Sequence, residues 1–524
     1  MSLSFLRPLL AAALVFPFFS GCWWARNPGP AAFDAAQGPV SLVSQRAAGP
    51  ATYLTVAVRA GSAHDPVGKE GLAALTAQLL RQGGAGALTP EGVDERLYGL
   101  GTDISVVVDK ELVTFRTRAL HEDLGPVAEL VADLLLHPRL DPVAFGRIKG
   151  EATDWLTRGI LGSDEALGAE LFDTWLYEGH PYGHPVEGRA GVLPTLTLDD
   201  VRAFLDERYL RVSTTLGVAG PCVEVDGAPL RAAEPGGAAA IALRDQLSTL
   251  PDRLYRDVTP RVVPPLEGRS LIVVEKPTAS TGVHFGHPLE INRGHPDWPA
   301  LLLAFTALGE HRQGHGRLYQ GLREARGLNY GDYAYIERYR QAGWSSIQET
   351  GTGRLQNPFS VWIRPVAAGN GPFAIKGALT LVQAFVDQGL GEEEYLRIQK
   401  YLSARVALWA EEPERRLGWA VEASAMGWPD PITTLPAAVA ALQREQVNAA
   451  IRTWIHPEAL RFVVVTGDGA AFQAAMLGAA PTPPVSVAGA PAPEAVIAAE
   501  NARWSELQVG LREARVITTE DLFR

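Results

Sequence analysis

Cysteine is nearly absent from this chain of 524 residues, which contains only Cys22 and Cys222. Two cysteines cannot make a disulfide framework, so the fold must be held together by a hydrophobic core. Long runs of basic residues are also missing, and the net charge is −12. This charge balance excludes nucleic acid as an expected partner. Beyond the N-terminus, no apolar run reaches the roughly 20 residues that a transmembrane helix needs.

The first 22 residues have the pattern of a secretory signal. Arg7 precedes an apolar run that ends in Ser20-Gly21-Cys22, which is typical of a lipoprotein-type cleavage site. A lipid attached to Cys22 would anchor the mature protein to a membrane surface. Residues 23–40 then have the composition of a tether. The sequence therefore predicts an extracytoplasmic, periplasmic, membrane-anchored lipoprotein, and the alternative is a plain cleaved signal peptide.

The rest of the chain repeats one order of predicted elements. Each half reads as a strand, two helices, a hairpin, several helices and a closing strand. We therefore predict an α+β fold of two duplicated α/β domains, with each sheet covered by its helices. The predicted N-terminal domain spans 41–222, an Ala-, Gly- and Pro-rich linker spans 223–265, and the C-terminal domain spans 266–477. A Pro/Ala-rich tail, 478–524, contains a candidate helix near Ala495–Arg515.

The stretch GLREARGLNY, Gly321 to Tyr330, combines two groups that can bind a peptide. It predicts a short basic helix that ends at Gly327, a glycine typical of a helix C-cap, and a strand that begins at Tyr330. The guanidinium of Arg323 can hold a peptide carbonyl or carboxylate with several donors. The phenol of Tyr330 can donate a hydrogen bond to an oxyanion. The alternative is an ordinary capped helix with a surface arginine and a core tyrosine.

This stretch and several others resemble the insulinase/pitrilysin-type zinc metallopeptidases, in the branch that includes the mitochondrial processing peptidase. The other matching segments are AGSAHDP, HPYGHPVEG, LTLDDVRAFLDERYL, STTLGVAG and SLIVVEKP, and together they cover about Ser41 to Asp468. The resemblance implies two metallopeptidase-like domains that form half of a clamshell. It also implies that Arg323 and Tyr330 contact substrate across a cleft from a zinc site.

The sequence departs from that family at the zinc site itself. The family's motif is His-x-x-Glu-His on the helix that follows the first strand. Aligned from Gly71, this chain reads GLAALTAQLL, so Ala74 and Gln78 replace the histidines and Ala77 replaces the catalytic glutamate. By the resemblance, Glu151 corresponds to the distal glutamate ligand. Because one carboxylate cannot hold zinc alone, we expect no cofactor in this chain and zinc only in a catalytic partner.

The resulting prediction is a catalytically silent subunit. It would bind peptide substrate and supply Arg323 and Tyr330 to a zinc-bearing partner of the same family, or to a second copy of itself. The hairpin GTDISVVVDKELVTFRTRAL could also capture a peptide as an added strand. Two alternatives stay open: a stand-alone peptide-binding or scaffold lipoprotein, and an active metallopeptidase with a rebuilt site. His311 and His315 are a further metal candidate, although the glycines around them predict a loop.

Overall fold

A computed structural model of the chain describes residues 39–221, 235–256, 263–340, 345–485, 493–520 and 522–524. The predicted signal peptide with Cys22, the predicted tether up to residue 38, and Cys222 lie outside these residues. Within the described ranges, no helix has both the length and the apolar character needed to cross a membrane. Hydrophobic side chains instead form cores that pack against two β-sheets.

The first half of the chain forms a five-stranded sheet. Its strands are β1 (Ser41–Arg46), β2 (Ala51–Val58), β3 (Ile104–Val108), β4 (Val113–Leu120) and β5 (Thr214–Gly220). They lie in the order β1-β5-β2-β4-β3, with β1 and β5 parallel and the other pairs antiparallel. The closing strand β5 therefore lies between the first two strands, and β3 lies at an edge.

The second half forms a six-stranded sheet with the same plan. Its strands are β6 (Arg269–Glu275), β7 (Ser280–Leu289), β8 (Asp332–Tyr335), β9 (Asn357–Ala367), β10 (Arg461–Thr466) and β11 (Leu511–Ile517). The order is β11-β6-β10-β7-β9-β8. Strands β6 to β10 repeat the positions and directions of β1 to β5, and β11 adds a further edge strand parallel to β6. The predicted α+β fold of two duplicated α/β domains is therefore confirmed.

The helices lie between the strands along the chain. Those of the first half are α1 (Leu72–Gln82), α2 (Pro90–Gly99), α3 (Leu124–Leu136), α4 (Pro142–Asp154), α5 (Asp164–Leu176), α6 (Leu198–Arg208) and α7 (Pro235–Leu247). Those of the second half are α8 (Trp298–Gly309), α9 (Gly371–Gln388), α10 (Glu392–Trp409), α11 (Pro413–Met426), α12 (Pro431–Ala441), α13 (Arg444–Trp454), α14 (Gly469–Leu477) and α15 (Ala495–Glu506). Each half also contains a six-residue π-helical turn, at Trp155–Ile160 and at Tyr319–Glu324.

One helix from each half covers the sheet of the other half. Helix α5 packs against β7 and β10, and helix α11 packs against β1, β2 and β5. Both contacts depend on a glycine. A Cβ atom at Gly168 on α5 would lie 2.7 Å from His284 Nδ1, and one at Gly217 on β5 would lie 2.2 Å from Val421 Cγ2. The two halves are therefore interlocked rather than joined only by the connecting chain.

The segment predicted as a linker, 223–265, is partly helical. It contains α7, which packs against α3 of the first half. Ala240, Leu243 and Leu247 are buried at this contact. The helix forms because these residues recur on one face and cover apolar surface on the neighbouring helix. At least this part of the predicted linker is therefore a packed element of the first domain.

The C-terminal tail also differs from its prediction. The helix expected near Ala495–Arg515 ends at Glu506, and the residues from Leu511 form β11. Leu507 already leaves the helical conformation, with a ψ of 126°, so the helix does not continue towards Arg515. Strand β11 pairs with the edge of β6, where it satisfies backbone groups that would otherwise be unpaired. Strand β11 of the tail is thus an integral part of the second sheet.

Candidate functional site

Helix α1 carries three of the positions where a zinc site would be expected. Its start is fixed by Asp65, whose carboxylate accepts two backbone N–H groups of the first turn, each at 2.7 Å. Burial raises the pKa of Asp65 to about 7 against the effect of these hydrogen bonds. Ala77 is fully buried in the core, whereas Ala74 and Gln78 are half-buried on the outer side of the helix. The outer side therefore presents a methyl group and an amide.

Helix α1 borders a depression of about 160 Å³, which we call the α1 depression. Ala74, Gln78 and Glu151 line it, together with Glu187 and Arg340. Three segments meet here because α1 packs against both α4 and β3. The structure thus places three of the four degenerate positions around one space and buries Ala77 beneath it.

A hydrogen-bond network links the side chains at this depression. Gln82 Nε2 donates to Gln78 Oε1 at 3.0 Å. Arg147 Nη2 donates to Gln82 Oε1, and Arg147 Nη1 donates to Glu151 Oε1, both at 2.7 Å. The guanidinium of Arg147 thus supplies positive charge to Glu151 without a metal ion.

The donor set of the α1 depression does not fit zinc. Zinc sites in proteins use three or four imidazole, thiolate or carboxylate ligands. The depression offers the amides of Gln78 and Gln82, the methyl group of Ala74, Glu151 paired with Arg147, and Glu187. Across the described part of the chain, no group of three His, Cys, Asp or Glu side chains could hold a metal ion. We therefore derive no zinc chemistry from these residues.

Arg323 and Tyr330 lie against each other on the surface of the second half. Arg323 Nη1 donates to the Tyr330 carbonyl at 2.7 Å, and its guanidinium carbon lies 4.8 Å from the Tyr330 ring centroid. The ring of Tyr319 lies at the same distance from the guanidinium carbon. Tyr330 is 67% exposed. The arrangement leaves part of the guanidinium and the Tyr330 phenol available to a ligand.

The local backbone around this pair differs slightly from its prediction. The helical segment is a π turn, Tyr319–Glu324, and Gly327 ends it with a φ of 62°. The Gly327 N–H donates to the Arg323 carbonyl at 2.7 Å, the bond expected of a glycine C-cap. Tyr330 does not begin the strand, because β8 starts at Asp332 and Tyr330 lies in a bend. The bend turns the tyrosine ring back over Arg323.

Strand β3 offers backbone groups at the edge of the first sheet. The Asp109 N–H donates to the Leu112 carbonyl at 3.0 Å, which closes the hairpin between β3 and β4. In an antiparallel pair, residues whose backbone groups bond to the neighbouring strand alternate with residues whose backbone groups point away from it. Asp109 belongs to the first kind. Ile104, Val106 and Val108 therefore direct their backbone N–H and C=O groups away from β4.

Two arginines occupy part of this edge. Arg81 Nε donates to the Ile104 carbonyl at 3.0 Å, and Arg340 Nη1 donates to the Val108 carbonyl at 2.7 Å. Val106, between them, directs both of its backbone groups outward and also lines the α1 depression. A peptide added to β3 would therefore bond first to Val106 and would have to share or displace the flanking arginines.

A cavity of about 380 Å³, the central cavity, lies between the two halves. The charged residues in its lining include Asp109, Glu170 and Glu187 from the first half and Arg338, Arg340 and Arg354 from the second half. Because Glu187 and Arg340 line both spaces, the central cavity adjoins the α1 depression. One aromatic wall is formed by His284 and Trp362, whose ring centroids are 5.7 Å apart with planes at 14°.

The buried charges around the central cavity are held by ion pairs between the halves. Arg354 lies 2.7 Å from Asp109 and 2.9 Å from Asp173, and all three side chains are nearly inaccessible to solvent. Burial is the largest single influence and opposes ionisation of the two aspartates. The charges of Arg354 and its neighbours Arg338 and Arg340, together with the hydrogen bonds from Arg354, outweigh it and keep the pKa of each below its ordinary value. For Glu170 burial dominates and raises the pKa.

Other candidate residues are placed apart from this region. Arg323 and Tyr330 line neither the α1 depression nor the central cavity. His311 Nδ1 is 2.8 Å from the Tyr335 hydroxyl, and His315 Nε2 is 3.0 Å from the Thr306 carbonyl. Each imidazole bonds to a different local partner, and no group of metal ligands among the described residues includes the two histidines.

The residues that neutralise the charges of the site are not among the predicted site residues. Arg147 precedes Glu151 by four residues on one helix, a spacing that brings opposite charges together and was visible in the sequence. Arg340 and Arg354 act on partners in the other half of the chain, at Val108 and Asp109. No local pattern indicates such distant contacts.

Comparison with known proteins gives two family matches and a common fold. The profile described as insulinase (peptidase family M16) matches residues 41–158, and that of the peptidase M16 inactive domain matches residues 240–357. A crystal structure of a peptidase M16 inactive domain from Pseudomonas fluorescens covers 83% of this chain and 97% of its own, with a TM-score of 0.69 and 20% identity. A protease from Helicobacter pylori covers 83% and 100%, with a TM-score of 0.66 and 15% identity.

Similar curated sequences are described as uncharacterized zinc proteases. Those of Mycobacterium bovis and Mycobacterium leprae are 26% identical over 258 residues and 27% identical over 265 residues. Each alignment covers 49% of this chain and 55% of the relative. The chain thus spans about half the length of the curated relatives that it matches.

Proposed function

The chain belongs to the insulinase (peptidase M16) family, and we propose that it is a non-catalytic member that serves a zinc-bearing partner peptidase. In this role it binds peptide substrate and presents Arg323 and Tyr330 to the partner's site. The observation that carries the proposal is the donor set of the α1 depression, where Ala74 and Gln78 replace metal ligands and Arg147 pairs with Glu151. A site of this composition cannot activate water through zinc.

The position of the Arg323–Tyr330 pair supports action on a second chain. The pair is partly exposed and lies outside the α1 depression of its own chain. Arg323 keeps N–H groups beyond the one that bonds to the Tyr330 carbonyl, and the Tyr330 phenol is at the surface. A partner that brings its zinc site to this surface would receive a guanidinium and a phenol, which bind a peptide carbonyl and stabilise developing negative charge.

The test is reconstitution with a zinc-bearing family member from the same source. We expect the two chains to co-purify and the complex to cleave peptides that neither chain cleaves alone. Arg323→Ala and Tyr330→Phe should each lower the kcat/KM of the complex without preventing its assembly. Tyr98→Phe is the matched control, because Tyr98 is also exposed, at 88%, and lies in the other half of the chain.

Two results would contradict this proposal. One is full peptidase activity of the complex when both Arg323 and Tyr330 are replaced. The other is stoichiometric zinc in the isolated chain, measured by elemental analysis and accompanied by hydrolysis, which would instead support an active peptidase with a rebuilt site.

A second candidate function is peptide capture by the chain without a partner. The outward backbone of Val106 on the edge strand β3 favours it, since strand addition needs backbone groups and no particular side chain. Val106→Pro removes the outward N–H and leaves the hydrogen bonds to β4 intact. We expect this variant to fold and to lose peptide binding, whereas Val107→Pro should disrupt the hairpin. Unchanged peptide affinity in Val106→Pro would exclude capture at this edge.

We also propose that the protein works outside the cytoplasm, attached to a membrane through a lipid on Cys22. The support is the sequence that precedes Cys22, an apolar run followed by small residues. Cys22→Ala should move the protein from the membrane fraction to the soluble fraction and abolish labelling with radioactive palmitate. Labelling that persists in this variant would contradict the proposal.

A further inference from the structure

Arg326 connects the helical turn that carries Arg323 to the C-terminal tail. Its side chain is 3% exposed. Arg326 Nη1 donates to the Gly321 carbonyl at 2.6 Å, Nε donates to Asn501 Oδ1 at 2.7 Å, and Nη2 lies 2.6 Å from Glu500 Oε2. The guanidinium carbon also lies 3.7 Å from the ring centroid of Trp504. Three of these four partners belong to the tail helix α15.

We infer that α15 is a positioning element for the Arg323–Tyr330 pair and that it acts through Arg326. This inference rests on the proposed function, because it concerns the orientation of the residues offered to the partner. The contacts of Arg326 are with Gly321 and with α15, and not with the exposed groups of Arg323 and Tyr330. Arg326 therefore fixes the backbone of the turn that carries Arg323.

The turn needs such support because it is short and irregular. The π turn, Tyr319–Glu324, has six residues, and isolated helices of this length are unstable in water. Arg326 bonds to Gly321 inside the turn, and the Gly327 N–H bonds to the Arg323 carbonyl at its end. The backbone of Arg323 is therefore fixed between two hydrogen bonds, one of which depends on the orientation of Arg326.

The tail helix is rigid enough to serve as an anchor. Lys376 Nζ on α9 donates to the Ser505 carbonyl at 3.0 Å. A Cβ atom at Gly377 would lie 2.5 Å from the Trp504 ring, so the tryptophan packs directly on the backbone of α9. Beyond α15, strand β11 pairs with β6. The anchor is thus fixed at two places, on a helix and on a sheet.

Arginine suits this role better than lysine. Its planar guanidinium makes several hydrogen bonds in fixed directions and stacks on an aromatic ring, whereas an ammonium group can retain only the attraction to Glu500. Arg326→Lys should therefore preserve the fold and only partly preserve the orientation of the pair. Arg326→Ala should lose both the fork of hydrogen bonds and the stacking on Trp504.

The direct experiment places 3-fluorotyrosine at Tyr330 of the full chain and records its ¹⁹F resonance. Arg323→Ala defines the shift that results when the guanidinium leaves the ring. We expect Arg326→Ala to move the resonance most of the way to that position, Arg326→Lys to move it part of the way, and Trp504→Phe to broaden it. The control Arg503→Ala, an exposed position on the same helix, should leave it unchanged.

A double-mutant cycle in the reconstituted complex then separates positioning from general stability. If Arg326 acts through Arg323, Arg326→Ala should lower kcat/KM in the natural background by nearly as much as Arg323→Ala and should have no further effect when Arg323 is already alanine. If Arg326→Ala fails to fold, the same cycle can be run with Glu500→Gln.

The outcomes distinguish the two proposals. An unchanged Tyr330 resonance in folded Arg326→Ala, or losses of kcat/KM that simply multiply, would overturn the positioning role. If Arg323→Ala itself leaves the activity of the complex unchanged, the proposed function fails. The ¹⁹F shifts would still report whether α15 orients the pair.

Discussion

At the scale of single residues, the affinity of the α1 depression for a metal ion is lowered by local positive charge as well as by the loss of ligands. Arg147 and Glu151 are about half exposed, so their ion pair by itself contributes little to the stability of the fold. The ion pair has a larger effect on metal binding than on stability, because a guanidinium beside Glu151 repels any cation that approaches the carboxylate. Restoring the missing ligands would therefore not be sufficient to restore tight metal binding.

A metal-binding prediction follows from this repulsion. The double variant Ala74→His, Gln78→His should bind Zn²⁺ only weakly in a calorimetric titration. Adding Arg147→Ala should tighten the Kd about tenfold, because it frees Glu151 and removes the positive charge beside the dication. Arg158→Ala, which removes a similar exposed pair with Asp154, is the control. Equal zinc affinity with and without Arg147 would show that Glu151 takes no part in binding.

Asp332 gives a second prediction, about pH. This residue is fully buried at the start of β8, and Asn329 Nδ2 donates to its Oδ1. Its Oδ2 atom has no hydrogen-bond partner among the described residues. Burial raises the pKa of Asp332 from 3.8 to about 7, although Asn329 and the charge of Arg323 oppose the rise. The folded state therefore prefers the protonated carboxyl group.

The sign of the pH effect follows from this raised pKa. The stability contributed by the neutral form is fully present below pH 3.8 and is lost as the pH rises through about 7. Asp332→Asn stays neutral, so it should be more stable than the natural protein at about pH 8, by on the order of 1.4 kcal/mol for each unit of pKa shift. In urea unfolding near pH 4 the two should be alike. The exposed substitution Asp245→Asn is the control, and a pH-independent difference would contradict the argument.

At the scale of elements, helices α5 and α11 each pack against the sheet of the other half, and we call them the exchanged helices. Their packing depends on a close approach to these sheets. Gly217→Ala would place a methyl group 2.2 Å from Val421 Cγ2, so β5 and α11 would have to separate. We expect a loss of about 1–3 kcal/mol in the free energy of unfolding, the usual cost of overpacking. Gly282→Ala is a matched control in β7, because no atom of the described residues lies within 4 Å of the added Cβ. Equal stability of the two variants would show that α11 can move without cost.

The elements differ in how well the sequence predicts them. Thr89-Pro90-Glu91 and Thr197-Leu198-Asp199 each predict a helix start in the sequence, and α2 and α6 begin there. These predictions are correct because the signals are local: Thr89 caps the Gly92 N–H, and Thr197 forms a capping box with Asp200. The Gly327 C-cap is correct for the same reason. These predictions need only residues within one turn of each other.

The elements that were missed depend on distant partners. Strand β1, SLVSQR, has no clear alternation and is held by parallel pairing with β5 near the end of the domain. The alternating pattern also predicts a second hairpin strand up to Thr350. Residues 345–350 form none, and β8 pairs with β9 instead. Ala74, Gln78 and Glu151, which the family resemblance singles out in the sequence, line one depression. The network through Gln82 and Arg147 could not be predicted, because it requires the packing of α1 on α4.

At the scale of the whole molecule, one buried arginine joins the two halves. Arg354 comes from the second half, and its partners Asp109 and Asp173 come from the first. A second contact between the halves, from Arg116 to the Thr350 carbonyl, lies a few residues earlier along the chain. Since the segment around Arg354 also lines the central cavity, the shape of that cavity depends on the same ion pairs.

Replacing this arginine should therefore weaken the whole structure in a pH-dependent way. Arg354→Met removes the nearest counter-charge of two buried aspartates and leaves only weaker ones, such as Arg338 at 3.5 Å from Asp173. This loss should cost about 3–5 kcal/mol near pH 7. In the natural protein the pKa of Asp109 and of Asp173 is lowered, so their contribution is present above the unfolded value of about 3.9 and is lost as the pH falls through the folded value. In the variant, burial raises both pKa values, so protonation relieves the penalty as the pH falls.

The difference between the natural protein and Arg354→Met should thus be largest near neutral pH and should shrink towards about pH 3. Urea unfolding followed by tryptophan fluorescence measures it at each pH. Arg253→Met is the control, since the pair of Arg253 with Asp206 is exposed and its loss should change stability by less than about 0.5 kcal/mol. A penalty of the same size at every pH would mean that Arg354 acts through its packing, and the two halves would then be held together mainly by the exchanged helices α5 and α11.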